Sequence, residues 1–138
     1  MDELANLLHE GYYSCVIRNG VVRTFIQRGI ADLYDLLSQE PAFLKGAQIA
    51  DKVIGKAAAV LMVLGGVQEI YTDVISEPAL SLLRNAGIKV GYVQAVPRVQ
   101  NRAKTGWCPL ETICYEVETA EDMFPLIQDF VQRMRNRD

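Results

Sequence analysis

The sequence predicts an α/β fold in which an antiparallel hairpin leads into parallel strands of one mixed sheet, with helices on both faces. Three features predict it: an Asn-Gly dipeptide between two β-rich runs, an apolar stretch over residues 46–65, and a strand–helix–strand succession over residues 67–96. Such a succession forms a right-handed unit with parallel strands. With 138 residues, the chain is expected to form one domain over residues 1–138.

The N-terminal part of the chain predicts two helices and a hairpin between them. Leucines at helical spacing predict the helices, at residues 2–9 and 30–39. β-rich runs predict the two strands of the hairpin, at residues 12–18 and 21–27. Asn19-Gly20 lies between these runs and favours a type I′ turn, because both central positions of that turn need positive φ.

The apolar stretch over residues 46–65 is interpreted as a buried central helix. Its second half has no polar side chain, and a helix that is apolar all round must be covered on all sides. Its polar residues lie in the first half, where helical geometry would place Gln48, Lys52 and Lys56 on one stripe. We therefore expect this helix to begin at a pocket.

The second half of the chain predicts two strands, three helix starts and a polar loop. The strands cover residues 67–74 and 88–96, and a helix over residues 79–85 lies between them. A polar loop, residues 97–107, then follows a parallel strand, where α/β folds usually place ligands. Short polar side chains stand at the N-cap positions of the three helices: Ser76, Cys108 and Thr119.

Composition limits the partners and the setting of the chain. A net charge of −3 gives no electrostatic reason to expect nucleic acid as a partner. The chain begins Met-Asp-Glu-Leu, without a basic or long apolar segment, so neither a signal peptide nor a membrane anchor is expected. Three widely spaced cysteines do not suggest a disulfide framework, and a cytoplasmic setting fits them. Association of identical chains is left open.

Cys108 is the strongest candidate for chemistry. A thiol at a helix N-terminus, with Arg102 close in sequence, is expected to have a lowered pKa and to act as a nucleophile. The alternative is that Cys108 is a small buried hydrophobic residue. The single histidine, His9, would have to reach across the fold, so a Cys-His or Ser-His-Asp site is not expected.

Lys52 and Lys56 are candidates for binding an anionic ligand, and a lysine in apolar surroundings can also act as a base or nucleophile. Lys52 is therefore the second catalytic candidate, with a salt bridge as the alternative. Gly55 would let a ligand approach closely. The remaining ligand-binding candidates are polar residues near predicted strand ends and helix starts: Asp51, Ser76, Asn101, Arg102, Thr105 and Glu111. For Ser76, a cap role is the expected alternative.

Three motifs carry a resemblance to a known family: Gly46-Ala47 through Ala50-Asp51-Lys52-Val53-Ile54-Gly55-Lys56-Ala57-Ala58-Ala59, then Tyr71-Thr72-Asp73-Val74-Ile75-Ser76, then Asn101-Arg102 with Thr105-Gly106-x-Cys108-Pro109-x-Glu111. Together they resemble a bacterial family of unknown function within the cytidine deaminase-like superfamily. The resemblance covers nearly the whole chain. It implies a three-layer α/β/α sandwich, cytidine deaminase-like, in which two helix N-termini converge beneath the carboxyl edge of the sheet.

The resemblance also implies a degenerate site. In active zinc deaminases, the two helix starts carry His-x-Glu or Cys-x-Glu and Pro-Cys-x-x-Cys, which bind zinc and supply the proton-transferring Glu. Here the corresponding segments are Asp51-Lys52-Val53 and Cys108-x-x-Glu111. Valine cannot serve as an acid or base, and a ligand set without histidine is uncommon for catalytic zinc. We therefore expect neither zinc nor another cofactor.

Three functions remain open at this point. The first is a metal-free pocket for a small polar ligand, of which a nucleotide-like molecule is one candidate, with or without catalysis. The second is a metal-dependent hydrolase or deaminase that uses Asp51, Cys108 and Glu111. The third is an interaction module without enzymatic activity. The first two require that Asp51, Lys52, Lys56, Cys108 and Glu111 converge on one cavity.

Overall fold

The computed structural model describes residues 2–26, 30–97 and 119–136. Its helices are α1 (Asp2–Glu10), α2 (Ala31–Gln39), α3 (Pro41–Leu44), α4 (Lys56–Gly65), α5 (Glu77–Asn85) and α6 (Ala120–Asn136). Its strands are β1 (Cys15–Asn19), β2 (Val21–Phe25), β3 (Gln48–Ile54), β4 (Glu69–Ser76) and β5 (Lys89–Val96). No helix within these ranges is long and apolar enough to cross a membrane.

The strands form one mixed sheet in the order β2-β1-β3-β4-β5. β1 pairs antiparallel with β2 and β3, whereas β3, β4 and β5 are parallel. The predicted hairpin and strand–helix–strand unit are therefore confirmed. The prediction of a type I′ turn is wrong, because of the two residues Asn19 and Gly20 only Gly20 has a positive φ, at 79°. Asn19 instead donates side-chain hydrogen bonds to the carbonyl oxygens of Phe43 and Lys45, both at 2.9 Å.

The helices lie on both faces of the sheet, which confirms the three-layer α/β/α architecture. β3, β4 and β5 follow one another across the sheet in the order of the chain. Two right-handed crossover connections therefore place α4 and α5 on the same face. Residues of α2, α4, α5 and α6 share the main hydrophobic core with that face. α1 covers the opposite face, where Leu4 and Leu8 pack against Val16 and Ala50 in a separate cluster.

The predicted central helix over residues 46–65 is wrong in its first half. Residues Gln48–Ile54 form strand β3, and the helix begins only at Lys56. Gly55, with φ −96° and ψ −179°, is the extended residue at which strand gives way to helix. Gln48, Lys52 and Lys56 therefore do not share a helical stripe. A buried strand joined directly to a buried helix gives one continuous apolar run, which periodicity cannot divide.

The pairing of the parallel strands is interrupted at one position across the sheet, which is occupied by Lys52 on β3, Asp73 on β4 and Val93 on β5. The rows on either side are paired with the same offset. Side-chain alternation shifts at this row: Ile49 and Ile54 both face the main core, although residues five apart on a regular strand point to opposite faces. Ile70 and Ile75, on β4, do the same. Beyond this interruption, towards the carboxyl ends of the strands, the side chains therefore point to the opposite face from the one that regular alternation would give.

A polar ladder crosses the opposite end of the sheet, on the α1 face. Arg18, Gln48, Glu69 and Lys89 occupy one register row of β1, β3, β4 and β5. The Arg18 Nε donates to Gln48 Oε1 at 2.8 Å, and Gln48 Nε2 donates to Glu69 Oε1 at 3.2 Å. Lys89 Nζ lies 3.6 Å from Glu69 Oε2. The ladder therefore matches each strand to its neighbour by side chains as well as by backbone.

Candidate functional site

The carboxyl edge of the parallel strands is the place where the predicted site would lie. One register row just inside this edge consists of Cys15 on β1, Asp51 on β3 and Thr72 on β4. Thr72 is fully buried, and its hydroxyl donates to the Val74 carbonyl at 2.9 Å. Beyond this row, β3 leads into α4 and β4 leads into α5. The edge therefore carries the N-termini of α4 and α5.

Asp51 is the most perturbed carboxyl group of this edge. The residue as a whole keeps part of its surface exposed to solvent, but its carboxyl group is enclosed by protein. Burial raises its pKa to about 7, and the negative charge of Asp73 acts in the same direction. Hydrogen bonds from the backbone of Val53 and Lys52 and from the Cys15 thiol oppose this rise in pKa. Asp51 can therefore gain or lose a proton near neutral pH.

Cys15 is the thiol next to Asp51. It is buried in the main core and is a free cysteine. Burial raises the pKa of Cys15 well above its usual value, and the nearby charges of Asp51 and Asp32 raise it further. A thiol whose pKa is raised in this way is a poor nucleophile. Cys15 is therefore a core residue and not a candidate for nucleophilic chemistry.

Lys52, Gly55 and Lys56 lie along the exit from β3 into α4, and not on one face of a helix. Lys52 is half-buried on the strand, where its backbone N–H donates to the Ser14 carbonyl at 3.4 Å. Lys56 is the first residue of α4, and only 8% of its surface is exposed. Gly55 is the N-cap residue of α4 and has no side chain with which to cap it. A buried lysine thus stands at a helix N-terminus, whose N–H groups carry a partial positive charge.

Ser76 has a structural role in α5. It is fully buried, and its hydroxyl accepts a hydrogen bond from the backbone N–H of Ala79 at 3.3 Å. The N-cap position expected for Ser76 is therefore confirmed. Thr119 likewise caps α6, since its hydroxyl accepts from the backbone N–H of Asp122 at 3.1 Å.

The other half of the predicted site lies outside the residues that the structure describes. This half comprises Asn101, Arg102, Thr105, Cys108 and Glu111. The helix start predicted at Cys108 and the convergence of Cys108 with Lys52 therefore stay predictions. Within the described ranges, no group of three or more histidine, cysteine or acidic side chains could hold a metal ion.

Sequence reasoning missed a polar cluster on the α1 face of the same edge. The Nε2 atom of His9 lies 2.9 Å from both carboxylate oxygens of Asp73, across 64 residues of chain. The Tyr71 hydroxyl donates to Asp73 Oδ1 at 2.9 Å, and the His9 and Tyr71 rings meet edge to face. The prediction that His9 would have to reach across the fold overlooked that α1 ends beside β4. Only the docking of α1 on the sheet reveals this contact.

Comparison with known proteins identifies a family without a described function. The family model TM1506, a domain of unknown function (DUF1893), matches residues 3–131. The crystal structure of the TM1506 protein from Thermotoga maritima superposes with a TM-score of 0.85 at 23% identity, over 93% of this chain and 87% of that one. The comparison with curated proteins gave no match. The shared architecture extends over almost the whole of both chains.

Two further similarities are more distant. They are to two forms of Acinetobacter baumannii RibD, with TM-scores of 0.43 and 0.44 and 18% identity in each case. They span 66% and 67% of this chain but 33% of the RibD chain.

Proposed function

The chain belongs to the TM1506 family, a domain family of unknown function (DUF1893), and on that premise we propose that it binds a small, polar, anionic ligand at the carboxyl edge of β3 and β4. A nucleotide-like molecule is one candidate for this ligand. The observation that supports the proposal most directly is Lys56, a buried lysine that opens α4 at the end of β3.

Two positive features coincide at Lys56. The first-turn N–H groups of a helix carry a partial positive charge, and they are free to bind an anion when no side chain caps them. Gly55 provides no such cap, in contrast to Ser76 on α5. Lys56 is itself the first residue of that turn. A phosphate or carboxylate would therefore meet a lysine and backbone donors together.

Asp51 adds the possibility of acid–base chemistry to this binding site. Its pKa of about 7 means that the carboxyl group is partly protonated at neutral pH. In its neutral form it does not repel an anion, and it can donate a hydrogen bond. In its charged form it can accept a proton from a bound ligand. This pair of states supports a binding site that can also catalyse proton transfer.

Binding of inorganic phosphate and of adenosine and cytidine 5′-monophosphates, measured by isothermal titration calorimetry, tests the proposal. We expect at least one of these probes to bind, and Lys56→Met to weaken its binding about tenfold or more. Lys45→Met, at an exposed lysine after α3, is the matched control and should bind normally. Retention of full affinity by a folded Lys56→Met variant, or failure of every probe to bind, would overturn the proposal.

Metal analysis of protein purified without added zinc separates this function from the metal-dependent alternative. Stoichiometric metal that disappears in Cys108→Ala would favour a hydrolase that uses Asp51, Cys108 and Glu111. A cytoplasmic setting is part of the proposal, since a free thiol such as Cys15 suits a reducing compartment.

A further inference from the structure

The side chain of Asn19 connects the β1–β2 hairpin to the end of α3. Its amide nitrogen Nδ2 lies 2.9 Å from the carbonyl oxygens of both Phe43 and Lys45. Nδ2 carries two hydrogens, so each of these carbonyl groups can accept one of them. The last carbonyl groups of a helix have no partner within the helix, and Asn19 supplies donors to this end of α3. The connection therefore depends on an amide N–H group.

Asn19 also belongs to the one Asn-Gly dipeptide of the sequence. In such a dipeptide the backbone nitrogen of glycine can attack the side-chain carbon Cγ of asparagine, because glycine has no side chain to hinder the approach. A bond forms between Gly20 N and Asn19 Cγ, the Cγ–Nδ2 bond breaks, and Nδ2 leaves as ammonia with the proton from Gly20 N. Water then opens the cyclic imide to aspartate or isoaspartate. This reaction makes asparagine a thermolabile residue.

The folded hairpin opposes closure of the imide ring. The ring closes only when the Asn19 side chain and the Gly20 nitrogen turn towards each other. Pairing of Asn19 with Val21 holds the backbone, and the bonds to Phe43 and Lys45 hold the side chain. Gly20 is exposed, so access of water is not the obstacle. The reaction must therefore wait for this end of the hairpin to open.

The product of the reaction cannot restore the connection. A carboxylate has no N–H group, and at position 19 it would bring negative oxygen atoms to the carbonyl oxygens of Phe43 and Lys45. Isoaspartate would in addition lengthen the backbone of the hairpin by one carbon atom. A second connection does not involve Asn19: the Arg23 guanidinium donates to Glu40 at 3.0 and 3.2 Å and lies 4.0 Å from the centre of the Phe43 ring. The modified chain would therefore stay folded, with a loosened hairpin.

We propose that Asn19 is a site of spontaneous deamidation that is closed in the folded protein, becomes reactive when the hairpin opens, and yields a product that no longer binds α3. A chain that has once opened at this end of the sheet then carries a permanent chemical mark. Water is the only co-reactant. The site does not involve Lys56, so it is independent of the proposed anion site.

Incubation in mildly alkaline buffer, followed by peptide mapping with mass spectrometry, measures the conversion of Asn19. We expect the reaction to be about tenfold or more slower in the native protein than in urea, because the hydrogen bonds of Asn19 must break first. Asn85, exposed at the end of α5 and followed by alanine, is the internal control and should react more slowly than Asn19 in urea. Equal rates for Asn19 in the native and unfolded protein, or no conversion in urea, would overturn the proposal.

Two variants test the control by the hairpin and the effect of the product. Arg23→Ala removes the second connection and should speed native deamidation of Asn19 by about threefold or more. Arg84→Ala, which removes an arginine from the Tyr92 ring of the opposite edge strand, is the matched control and should leave the rate unchanged. Asn19→Asp should unfold at a lower urea concentration than the wild type. If Asn19→Asp does not fold, deamidated wild-type protein separated by ion exchange takes its place. An unchanged rate in Arg23→Ala, or a wild-type urea midpoint for the aspartate form, would contradict the proposal.

Discussion

The Cys15 thiol donates a hydrogen bond to the Asp51 carboxylate across the antiparallel pairing of β1 and β3. The hydrogen bond from the thiol favours the charged form of Asp51 and so lowers its pKa. The negative charge of Asp51 in turn disfavours the thiolate and so raises the pKa of Cys15. Burial nevertheless dominates both groups and raises both pKa values. The pair is therefore a carboxyl group that titrates beside a thiol that does not.

The stability of the protein should fall as pH rises from about 4 to about 7, through the titration of Asp51. Its pKa is 3.8 in an ordinary setting and about 7 in the folded chain, so the unfolded chain loses this proton first. The free energy of unfolding then decreases by at most about 1.4 kcal/mol per pH unit in this window, and the effect is complete above it.

Asp51→Asn should remove this contribution, because an amide does not titrate. The free energy of unfolding of the variant minus that of the wild type should therefore increase as pH rises through this window. Urea unfolding of both proteins across the window measures this difference. Asp129→Asn, at an exposed position of α6, is the control. Wild-type and Asp51→Asn curves that run parallel with pH would contradict the assignment.

Cys15 should resist thiol reagents in the native protein. Its thiol is buried, and its pKa is raised well above the usual value, so little thiolate is available at pH 8. Labelling by a disulfide reagent, followed by peptide mapping, should show modification of Cys15 only at the rate of unfolding. Rapid labelling of Cys15 below the unfolding midpoint would disprove the burial of this group.

Gly65→Ala should destabilise the protein, although alanine normally favours a helix over glycine by about 1 kcal/mol. A Cβ atom at Gly65 would lie 2.9 Å from both Cβ and Cδ1 of Leu44, which is fully buried. We expect a net loss of roughly 1–2 kcal/mol in urea unfolding. Leu44→Ala in the same chain should reduce the additional cost of Gly65→Ala. Gly91→Ala, where space is open, should not destabilise.

Gln48→Ala should break the polar ladder at its centre. Gln48 accepts a hydrogen bond from Arg18 and donates one to Glu69, so the substitution removes a side-chain hydrogen bond to each of the two neighbouring strands. The expected loss is about 1–2 kcal/mol of unfolding free energy. Gln68→Ala, at an exposed glutamine just before β4, is the control and should change stability little. A neutral Gln48→Ala would show that the ladder contributes nothing to stability.

The hairpin, the βαβ unit and the helix caps could be predicted because each has a local cause. Asn19-Gly20 marks the reversal of direction, and Ser76 and Thr119 bind backbone N–H groups within three residues. The turn type could not be predicted, because the Asn19 side chain is engaged by carbonyl groups that follow α2. Local signals therefore located the elements, and distant partners decided their details.

Strand β3 could not be recognised because its burial does not alternate. Ile49, Ala50 and Ile54 are all buried, since α1 covers one face, the main core covers the other, and alternation shifts near Lys52. Such spacing imitates a helix. The glycine at position 55 was the signal available in the sequence, since a glycine there can end a strand as well as interrupt a helix.

The contact between His9 and Asp73 depends on tertiary structure alone. It joins residues 64 positions apart, and no motif connects them. The same holds for the pKa of Asp51, which follows from enclosure by neighbouring elements. Residue type suggested where a site would lie, but not which carboxyl group would be enclosed.

The separate packing of α1 gives the molecule two levels of cooperativity. The cluster of Leu4, Leu8, Val16 and Ala50 shares no member with the main core, so detachment of α1 exposes few apolar groups. The amide protons of α1 should then exchange with solvent by a local opening, well before those of α4. The N-terminal helix is in this sense an appended foldon, whose release would uncover one face of the sheet without melting the rest.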